Sequence, residues 1–308
     1  MFTVSDVVTG RGTLQYREEN LTGLRCRISP ERVKRHIDQM HKVPEGSDTC
    51  PFCRENIFSI TPTFADGNRI LRGESVTFPN MFPFAEWHTV TVITRDHAVP
   101  GFTRQQISDA LLAQTEALLR YGGYPSINWN YLPSAGASIV HPHMQGIADR
   151  RPSWMTERYL SAGKEHRRKT GTSYWEALRE QERSSDRLLF EDEILWSAHA
   201  VPVGEREVRG ILPVGRLDEL ESYVDSLSEG IIRVLSLYRK LGTQAFNMAI
   251  YFSRDKTEEF SAFCSLISRI NPNPLSTSDS AFMERLHNEP IILTLPEELG
   301  RYCREGLQ

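Results

Sequence analysis

Residues 134–145 read Ser-Ala-Gly-Ala-Ser-Ile-Val-His-Pro-His-Met-Gln, which is a loop of small residues followed by an alternating stretch. Because alternate side chains of a strand share a face, the spacing predicts that His141, His143 and Gln145 point the same way. The backbone amides of residues 136–138 and the hydroxyl of Ser138 can cradle an anion, and a neutral imidazole can attack phosphorus. The stretch therefore predicts a phosphate site with a nucleophile, although two surface or metal-binding histidines beside a turn fit the spacing too.

The segments around this stretch follow one order twice. In the first half, a predicted helix begins with a capping box formed by Thr103 and Gln106 and ends at Gly122. In the second half, apolar spacing predicts a helix over 217–241 that ends at Gly242, 120 residues after Gly122. Predicted strands flank these helices, over 89–94, 126–131, 246–252 and 260–270. The order predicts an internal duplication, and the alternative is that two α+β stretches share it by chance.

Composition excludes several classes of protein. The chain has 308 residues, with 36 Lys and Arg against 40 Asp and Glu, so its formal charge of −4 does not favour broad nucleic-acid binding. No apolar run reaches the roughly 18–20 residues of a membrane helix, and the first residues resemble no signal peptide. Five cysteines are an odd and sparse set for a disulfide framework. We expect a soluble protein of the reducing cytoplasm, without nucleic-acid or membrane partners.

Cys50 and Cys53 have the two-residue gap of a zinc knuckle, which supplies half of a tetrahedral site. Histidine is the natural completion, and the candidates are His88, His97 and His141. The sequence lacks the His-Glu-x-x-His, Gly-x-Gly-x-x-Gly and Gly-x-Ser-x-Gly patterns. A zincin protease, a Rossmann dehydrogenase and a serine hydrolase are therefore disfavoured.

Several motifs, in order along the chain, resemble those of galactose-1-phosphate uridylyltransferase and its relatives, the nucleotidyltransferase branch of the histidine-triad superfamily. The matching segments are Leu21-Thr22-Gly23, Ser29-Pro30-Glu31-Arg32, Cys50-Pro51-Phe52-Cys53, Asn80 with Phe82-Pro83-Phe84-Ala85, Asp96-His97, Asn130, and His141-Pro142-His143-Met144-Gln145. The resemblance implies an α+β fold in which a histidine-triad-like unit occurs twice, with antiparallel sheets flanked by helices. The alternative is a single mixed sheet without true duplication.

The resemblance also implies a domain organisation. Residues 1–150 would form the N-terminal histidine-triad-like half, with the zinc site and the His-Pro-His-x-Gln motif. Residues 151–308 would hold a connector, over about 150–187, and a degenerate C-terminal half. A shift of 120 residues from His141 and His143 reaches Ser261 and Phe263, so only the first half keeps the histidines.

The resemblance implies a role for each matching residue. His143 would attack the α-phosphorus of a nucleotide sugar and become a nucleotidyl-histidine, and Gln145 would hydrogen-bond the phosphoryl group. Zinc would be held by Cys50, Cys53, His97 and His141. Substrate-binding candidates are Arg25, Arg27, Arg32, Asn80, Asn130 and Ser138. The family further implies a homodimer with active sites near the subunit interface.

The predicted activity is transfer of a nucleoside monophosphate, UMP or AMP, from a nucleotide sugar to a phosphate acceptor. The alternatives are a phosphorylase or hydrolase of the same superfamily, and a non-catalytic, zinc-stabilised nucleotide-binding module. The family's hexose-binding Lys, Tyr and Glu are replaced by Ala281, Leu286 and His287, and its iron-binding histidines are not matched by Ser261, Phe263 and Ser265. We therefore expect galactose 1-phosphate to be a poor acceptor, with inorganic phosphate or another phosphorylated metabolite preferred.

Overall fold

The computed structural model describes residues 1–9, 12–30, 50–270 and 280–306. The strands are β1 (Phe2–Thr9), β2 (Gly12–Glu19), β3 (Arg25–Ile28), β4 (Ile70–Arg72), β5 (Ser75–Pro79), β6 (Trp87–Val92), β7 (Tyr124–Tyr131), β8 (His143–Asp149), β9 (Leu188–Glu191), β10 (Leu195–Ala198), β11 (Val208–Ile211), β12 (Phe246–Tyr251), β13 (Phe263–Ser268) and β14 (Ile291–Ile292). The α-helices are α1 (Ile57–Ile60), α2 (Arg104–Leu119), α3 (Trp154–Thr170), α4 (Tyr174–Arg183), α5 (Val224–Lys240) and α6 (Pro296–Glu305).

Ten strands form one antiparallel sheet in the order β4-β5-β6-β8-β7-β12-β13-β11-β10-β9. Each half of this order has the same pattern when it is followed from the outer edge to the centre, and the halves meet where β7 pairs with β12. A helix connects the third and fourth strands of each half along the chain, α2 in the first and α5 in the second. The predicted duplicated α+β fold with antiparallel sheets is confirmed, and the alternative without duplication is wrong.

The two faces of the sheet differ in polarity because side chains alternate along each strand. Helices α2 and α5 cover one face, where Trp129 of β7, Met144 of β8 and Met248 of β12 join the largest apolar core. The neighbours of these residues point to the opposite face. In the centre of the sheet, that opposite face carries the polar side chains that form the candidate site.

The predicted elements occur with altered ends. Thr103 and Gln106 form the predicted capping box of α2. The helix predicted over 217–241 instead begins as a 3₁₀ helix, Leu217–Tyr223, and becomes α-helical at Val224. The strand predicted over 89–94 lies two residues earlier, at Trp87–Val92, and the strand predicted over 126–131 begins two residues earlier, at Tyr124. The strands predicted over 246–252 and 260–270 are shorter, Phe246–Tyr251 and Phe263–Ser268.

A second sheet of four strands, in the order β1-β2-β3-β14, joins the two ends of the chain. β14 runs parallel to β3, with Ile291 opposite Arg27. The predicted connector forms α3 and α4, whose Tyr159 and Trp175 pack against Phe263 of the second half. The proposed domain boundary at residue 150 remains a prediction. Within the described residues, no helix combines the length and apolar character needed to cross a membrane.

Candidate functional site

His143 is the first residue of β8 and is buried, with 7% of its surface exposed. Its Nδ1 lies 2.8 Å from the carbonyl oxygen of His141, so Nδ1 carries the proton and donates it. Burial lowers the pKa of His143 and outweighs the opposite effect of this hydrogen bond. The imidazole is therefore neutral at pH 7, and its Nε2 presents an unprotonated lone pair.

His141 does not lie in the strand, which corrects the prediction that His141, His143 and Gln145 share one strand face. The residue between the two histidines is Pro142, which has no N–H to donate to a β-ladder, and β8 begins only after it. The Nε2 of His141 donates to the carbonyl of Thr94 at 2.8 Å, and its Nδ1 faces Cys50 and Cys53. The two histidines of the motif therefore have different surroundings, because His141 faces the cysteine pair and His143 lies on β8.

Cys50, Cys53, His97 and His141 bring one donor atom each within 4.8 Å of one another, and this cluster can hold a metal ion. The Sγ of Cys53 lies 3.4 Å from Nδ1 of His97 and 3.7 Å from Nδ1 of His141. A tetrahedral zinc ion, with bonds of about 2.3 Å to sulfur and 2.0 Å to nitrogen, separates such donors by about 3.5 Å. Burial lowers the pKa of His141 to about 4, which keeps its ring neutral, and the Thr94 carbonyl fixes the ring as ligating histidines require.

The donor set and its spacing therefore fit zinc. Of the three histidines that the sequence offered for this cluster, His97 and His141 belong to it, and His88 does not. The cysteine segment also packs on the site, because Phe52 lies edge-on to His143 with ring centroids 5.2 Å apart.

His88 instead contacts Gln145, a contact that sequence reasoning missed. His88 Nδ1 accepts a hydrogen bond from the backbone N–H of Phe84 at 3.4 Å, so its proton is on Nε2. That Nε2 donates a hydrogen bond to Oε1 of Gln145 at 2.9 Å, which leaves the NH2 group of the Gln145 side chain as a donor. Asn80 lies beside the pair, but its Nδ2, at 3.1 Å from Nε2 of His88, is a donor that faces a donor in this tautomer and forms no hydrogen bond with it.

A signal for this contact was present in the sequence. His88, Val90 and Val92 alternate along β6, and Val90 lies opposite Gln145 in the sheet. The alternation places His88 on the Gln145 face, but only the strand order shows that β6 and β8 are neighbours.

Asn130 lies on β7, the strand on the other side of β8. Asn128 lies opposite Gln145, and continuing this antiparallel register by two residues places Asn130 at the level of His143. The loop that follows contains a 3₁₀ helix, Pro133–Ala135, and then Gly136 with a φ of 84°, a left-handed conformation that glycine adopts without strain. Ser138 is exposed in this loop, just before the strand of His143.

Two of the three arginine candidates pair with acidic side chains. Arg25 is exposed on β3 and pairs with Glu18 at 2.8 Å, and Arg27 pairs with Glu289 at 2.9 Å. In the part of the chain that the structure describes, no hydrogen bond or ion pair joins either of them to His143 or Gln145. Arg32 lies outside the described residues.

Ser261, Phe263 and Ser265 of the second half have other contacts than the histidines of the first. Phe263 is buried and stacks on Trp175 with ring centroids 5.4 Å apart, and the Ser265 hydroxyl donates to Glu207 at 2.8 Å. Ser261 donates to the backbone carbonyl of Leu212 at 2.6 Å. These side chains are structural, as the loss of the histidines from this half suggests.

Comparisons with known proteins show a common fold. No protein-family model matches the chain. An uncharacterized protein of Archaeoglobus fulgidus is 26% identical over 278 residues, which is 87% of this chain and 84% of that protein. The structure of an ADP-glucose phosphorylase from Arabidopsis thaliana, with bound ADP-glucose, has a TM-score of 0.76 and 17% identity over 96% of this chain and all of that one.

Two further solved structures have the same fold. A GalT-like protein from Arabidopsis thaliana has a TM-score of 0.75 at 16% identity, and a uridylyltransferase has 0.70 at 19% identity, each over 94% of this chain and 98% of the other. The chain has the fold of the galactose-1-phosphate uridylyltransferase-like proteins. Within this uridylyltransferase-like fold, the described site lies on the sheet face opposite α2 and α5.

Proposed function

We propose that this protein is a nucleotidyltransferase that works through a covalent nucleotidyl-histidine at His143. One observation carries the proposal, namely the hydrogen bond from Nδ1 of His143 to the His141 carbonyl. That bond makes Nε2 the unprotonated nitrogen, and Gln145, two residues further on the same strand face, keeps an amide donor for a phosphoryl oxygen.

The proposed reaction has two displacements. In the first, Nε2 of His143 bonds to the α-phosphorus of a nucleotide sugar, and the bond from that phosphorus to the bridging oxygen breaks, releasing a sugar phosphate. In the second, an oxygen of the acceptor phosphate bonds to the same phosphorus and the N–P bond breaks, which restores the neutral imidazole. Both steps use one anion pocket, for which the Gly136–Ser138 loop and Asn130 supply candidate donors.

Exposed aromatic side chains beside the site suit a nucleotide. Phe82 and Phe84 are 81% and 74% exposed, and the ring of Phe84 lies 4.3 Å from that of His88. A planar base offers such rings a stacking partner. The ADP-glucose bound by the structural relative supports a nucleotide sugar as the donor, and either uracil or adenine remains compatible with this chain.

We also propose that the metal of the Cys50, Cys53, His97 and His141 cluster is zinc. Four protein ligands close a tetrahedral site, which is the arrangement of structural zinc, so the ion would stabilise the fold around His141. The arginine roles of Arg25, Arg27 and Arg32, the homodimer and the cytoplasmic location remain predictions.

A phosphorylase activity is the second candidate. It is favoured by residues 281–287, the segment that resembles the family's hexose-binding segment. Leu286 is 80% exposed and Ala281 is also exposed, and neither side chain can hydrogen-bond a sugar hydroxyl. Inorganic phosphate needs no such partners. The phosphorylase activity named for one structural relative supports this acceptor.

The covalent intermediate provides the decisive test. The protein is incubated with UDP-glucose or ADP-glucose labelled at the α-phosphate, denatured, and examined for acid-labile, base-stable label. We expect label on the wild type and on His166→Ala, which removes a half-buried imidazole on α3, and none on His143→Ala with an unchanged melting curve. Wild-type protein that binds these donors but never takes label would instead be a nucleotide-binding module.

The labelled enzyme then discriminates between acceptors. Inorganic phosphate, galactose 1-phosphate or buffer alone is added, and the release of label is timed. We expect fast release by phosphate and slow release by galactose 1-phosphate. Fast release in buffer alone would identify a hydrolase, and efficient transfer to galactose 1-phosphate would show that other residues bind the hexose.

A further inference from the structure

Asn247 lies at the centre of the ten-stranded sheet, where the two halves meet. It belongs to β12 and is directly opposite Asn130 of β7 in the antiparallel register. Cross-strand partners point to the same face, so Asn247 shares the face of the site although it belongs to the half without histidines. Its Nδ2 donates to Oδ1 of Asn130 and to the backbone carbonyl of Ala135, each at 2.7 Å.

The orientation of the Asn247 amide follows from a third contact. Nη1 of Arg269 donates to Oδ1 of Asn247 at 2.7 Å. A guanidinium group has donors only, so the atom it contacts must be the oxygen, and the nitrogen of Asn247 must face Asn130. The oxygen of Asn130 is thereby occupied, and its Nδ2 is left as a donor on the side of the site.

This Nδ2 of Asn130 has no hydrogen-bond partner among the described residues, and Asn130 lies at the level of His143. The second bond of Asn247 reaches Ala135, which ends the 3₁₀ helix just before Gly136 and Ser138. One side-chain amide therefore holds both Asn130 and the start of the predicted phosphate loop.

We propose that Asn247 is a positioning residue for nucleotidyl transfer, which presents the Asn130 amide to the reacting phosphate and ties down the loop at Ala135. The inference rests on the proposed function, since it assigns a partner to the same site. It also gives the second half a part in catalysis, because the pairing of β7 with β12 places its asparagine opposite Asn130, on the strand next to that of the nucleophile.

Asn247→Asp tests this with a nearly isosteric change. The carboxylate still accepts from Arg269, but it offers an acceptor where the wild type has a donor. It therefore repels the Ala135 carbonyl and turns the amide of Asn130, whose Nδ2 must now face the carboxylate. We expect kcat for transfer to fall roughly tenfold to a hundredfold, with KM for the donor changed much less.

Three comparisons separate positioning from a structural role. Tyr251→Phe alters the same strand four residues further on and should keep wild-type kcat and KM. Asn130→Ala combined with Asn247→Asp should lose less than the product of the two single losses, because part of the Asn247 effect passes through Asn130 and only the part that passes through Ala135 remains. Arg269→Met removes the donor that orients Asn247 and should lower kcat by a smaller factor, which keeps the inference testable if Asn247→Asp folds poorly.

The outcomes distinguish this inference from the proposed function. Wild-type protein that takes no nucleotidyl label refutes the proposed function itself. Labelled wild type together with a full-speed Asn247→Asp overturns the positioning role, as does a double variant whose losses multiply. A lower melting temperature with unchanged kcat per folded molecule would show that Asn247 is structural only.

Discussion

Two neighbouring histidines in this protein are distinguished by single hydrogen bonds. His143 donates from Nδ1 to the His141 carbonyl, and His141 donates from Nε2 to the Thr94 carbonyl. The first ring therefore presents Nε2 and the second presents Nδ1, toward different surroundings. The motif places two imidazoles close together, but their backbone partners decide which nitrogen each one offers.

In the proposed reaction, His88 would act through the hydrogen bond by which it holds the side chain of Gln145. His88→Leu removes the donor to Oε1 of Gln145 and leaves its amide free to rotate. We expect kcat/KM to fall by a factor of about 10 to 100, which corresponds to one lost buried hydrogen bond of about 1–3 kcal/mol. Steady-state kinetics of His88→Leu and of His166→Leu as a control measure this. Equal kcat/KM in wild type and His88→Leu would mean that Gln145 needs no such partner.

Over the described residues 50–69, the segment that carries Cys50 and Cys53 has little regular structure, namely the four-residue α1 and no strand. Its apolar residues, including Phe52 and Ile57, pack on Val90 and Val92 of β6. Such a short segment buries little surface by itself, so a bound ion would contribute much of its stability.

Metal analysis tests this at the scale of the element. We expect one zinc ion per chain, and Cys53→Ser should lose zinc and several degrees of melting temperature. Cys303→Ser, at a half-buried cysteine on α6, is the control and should retain the metal. A metal-free wild type that melts at the same temperature would contradict the four-ligand cluster.

The start of α2 offers a second test at this scale. The Thr103 hydroxyl accepts from the backbone N–H of Gln106 at 3.2 Å, and the Gln106 side chain accepts from the Thr103 N–H at 3.0 Å. Thr103→Ala should lower the free energy of unfolding by about 1 kcal/mol. Gln105→Ala removes only an exposed side-chain bond to Asp109 and should change it far less, as denaturant unfolding of both variants will show.

At the scale of the whole molecule, the two ends of the chain are joined by more than the β3–β14 pairing. Arg17 of β2 is buried and donates to both oxygens of Glu297 on α6, at 3.0 and 2.9 Å. Burial alone would raise the pKa of Glu297, but the hydrogen bonds and charge of Arg17 outweigh it and lower that pKa.

This ion pair gives stability a predictable pH dependence. The pKa of Glu297 is lower in the folded state than in the unfolded state. The ionised carboxylate therefore stabilises the folded protein above the unfolded-state pKa of about 4.3, and this stabilisation is lost as the pH falls through the folded-state pKa. Glu297→Gln should cost about 1–3 kcal/mol of unfolding free energy at pH 7, and the difference from wild type should shrink below pH 4.

Denaturant unfolding at several pH values measures this difference. Glu298→Gln is the matched control, since the side chain of Glu298 has, among the described residues, a single ion pair, with Arg301 at 4.0 Å. A deficit of Glu297→Gln that stays constant down to acid pH would show that the carboxylate charge is not what stabilises the junction.

Much of this protein followed from the sequence by itself. The capping box at Thr103, the single helices and strands of each half, and the cysteine pair were readable because each depends on residues a few positions apart. The repeat was readable because the same order of elements recurs 120 residues later. The metal donors Cys50, Cys53, His97 and His141 followed from the resemblance of ordered motifs, and the structure brings these four donors together.

Only the tertiary structure decided how these pieces act on one another. The contact of His88 with Gln145 and the contact of Asn247 with Asn130 depend on which strands are neighbours. His88 and Gln145 are 57 positions apart and meet because β6 and β8 are neighbours. Asn130 and Asn247 are 117 positions apart and meet because β7 pairs with β12. Local propensity determines the elements, but strand order is set by burial of apolar faces across the whole chain, which no short stretch of sequence contains.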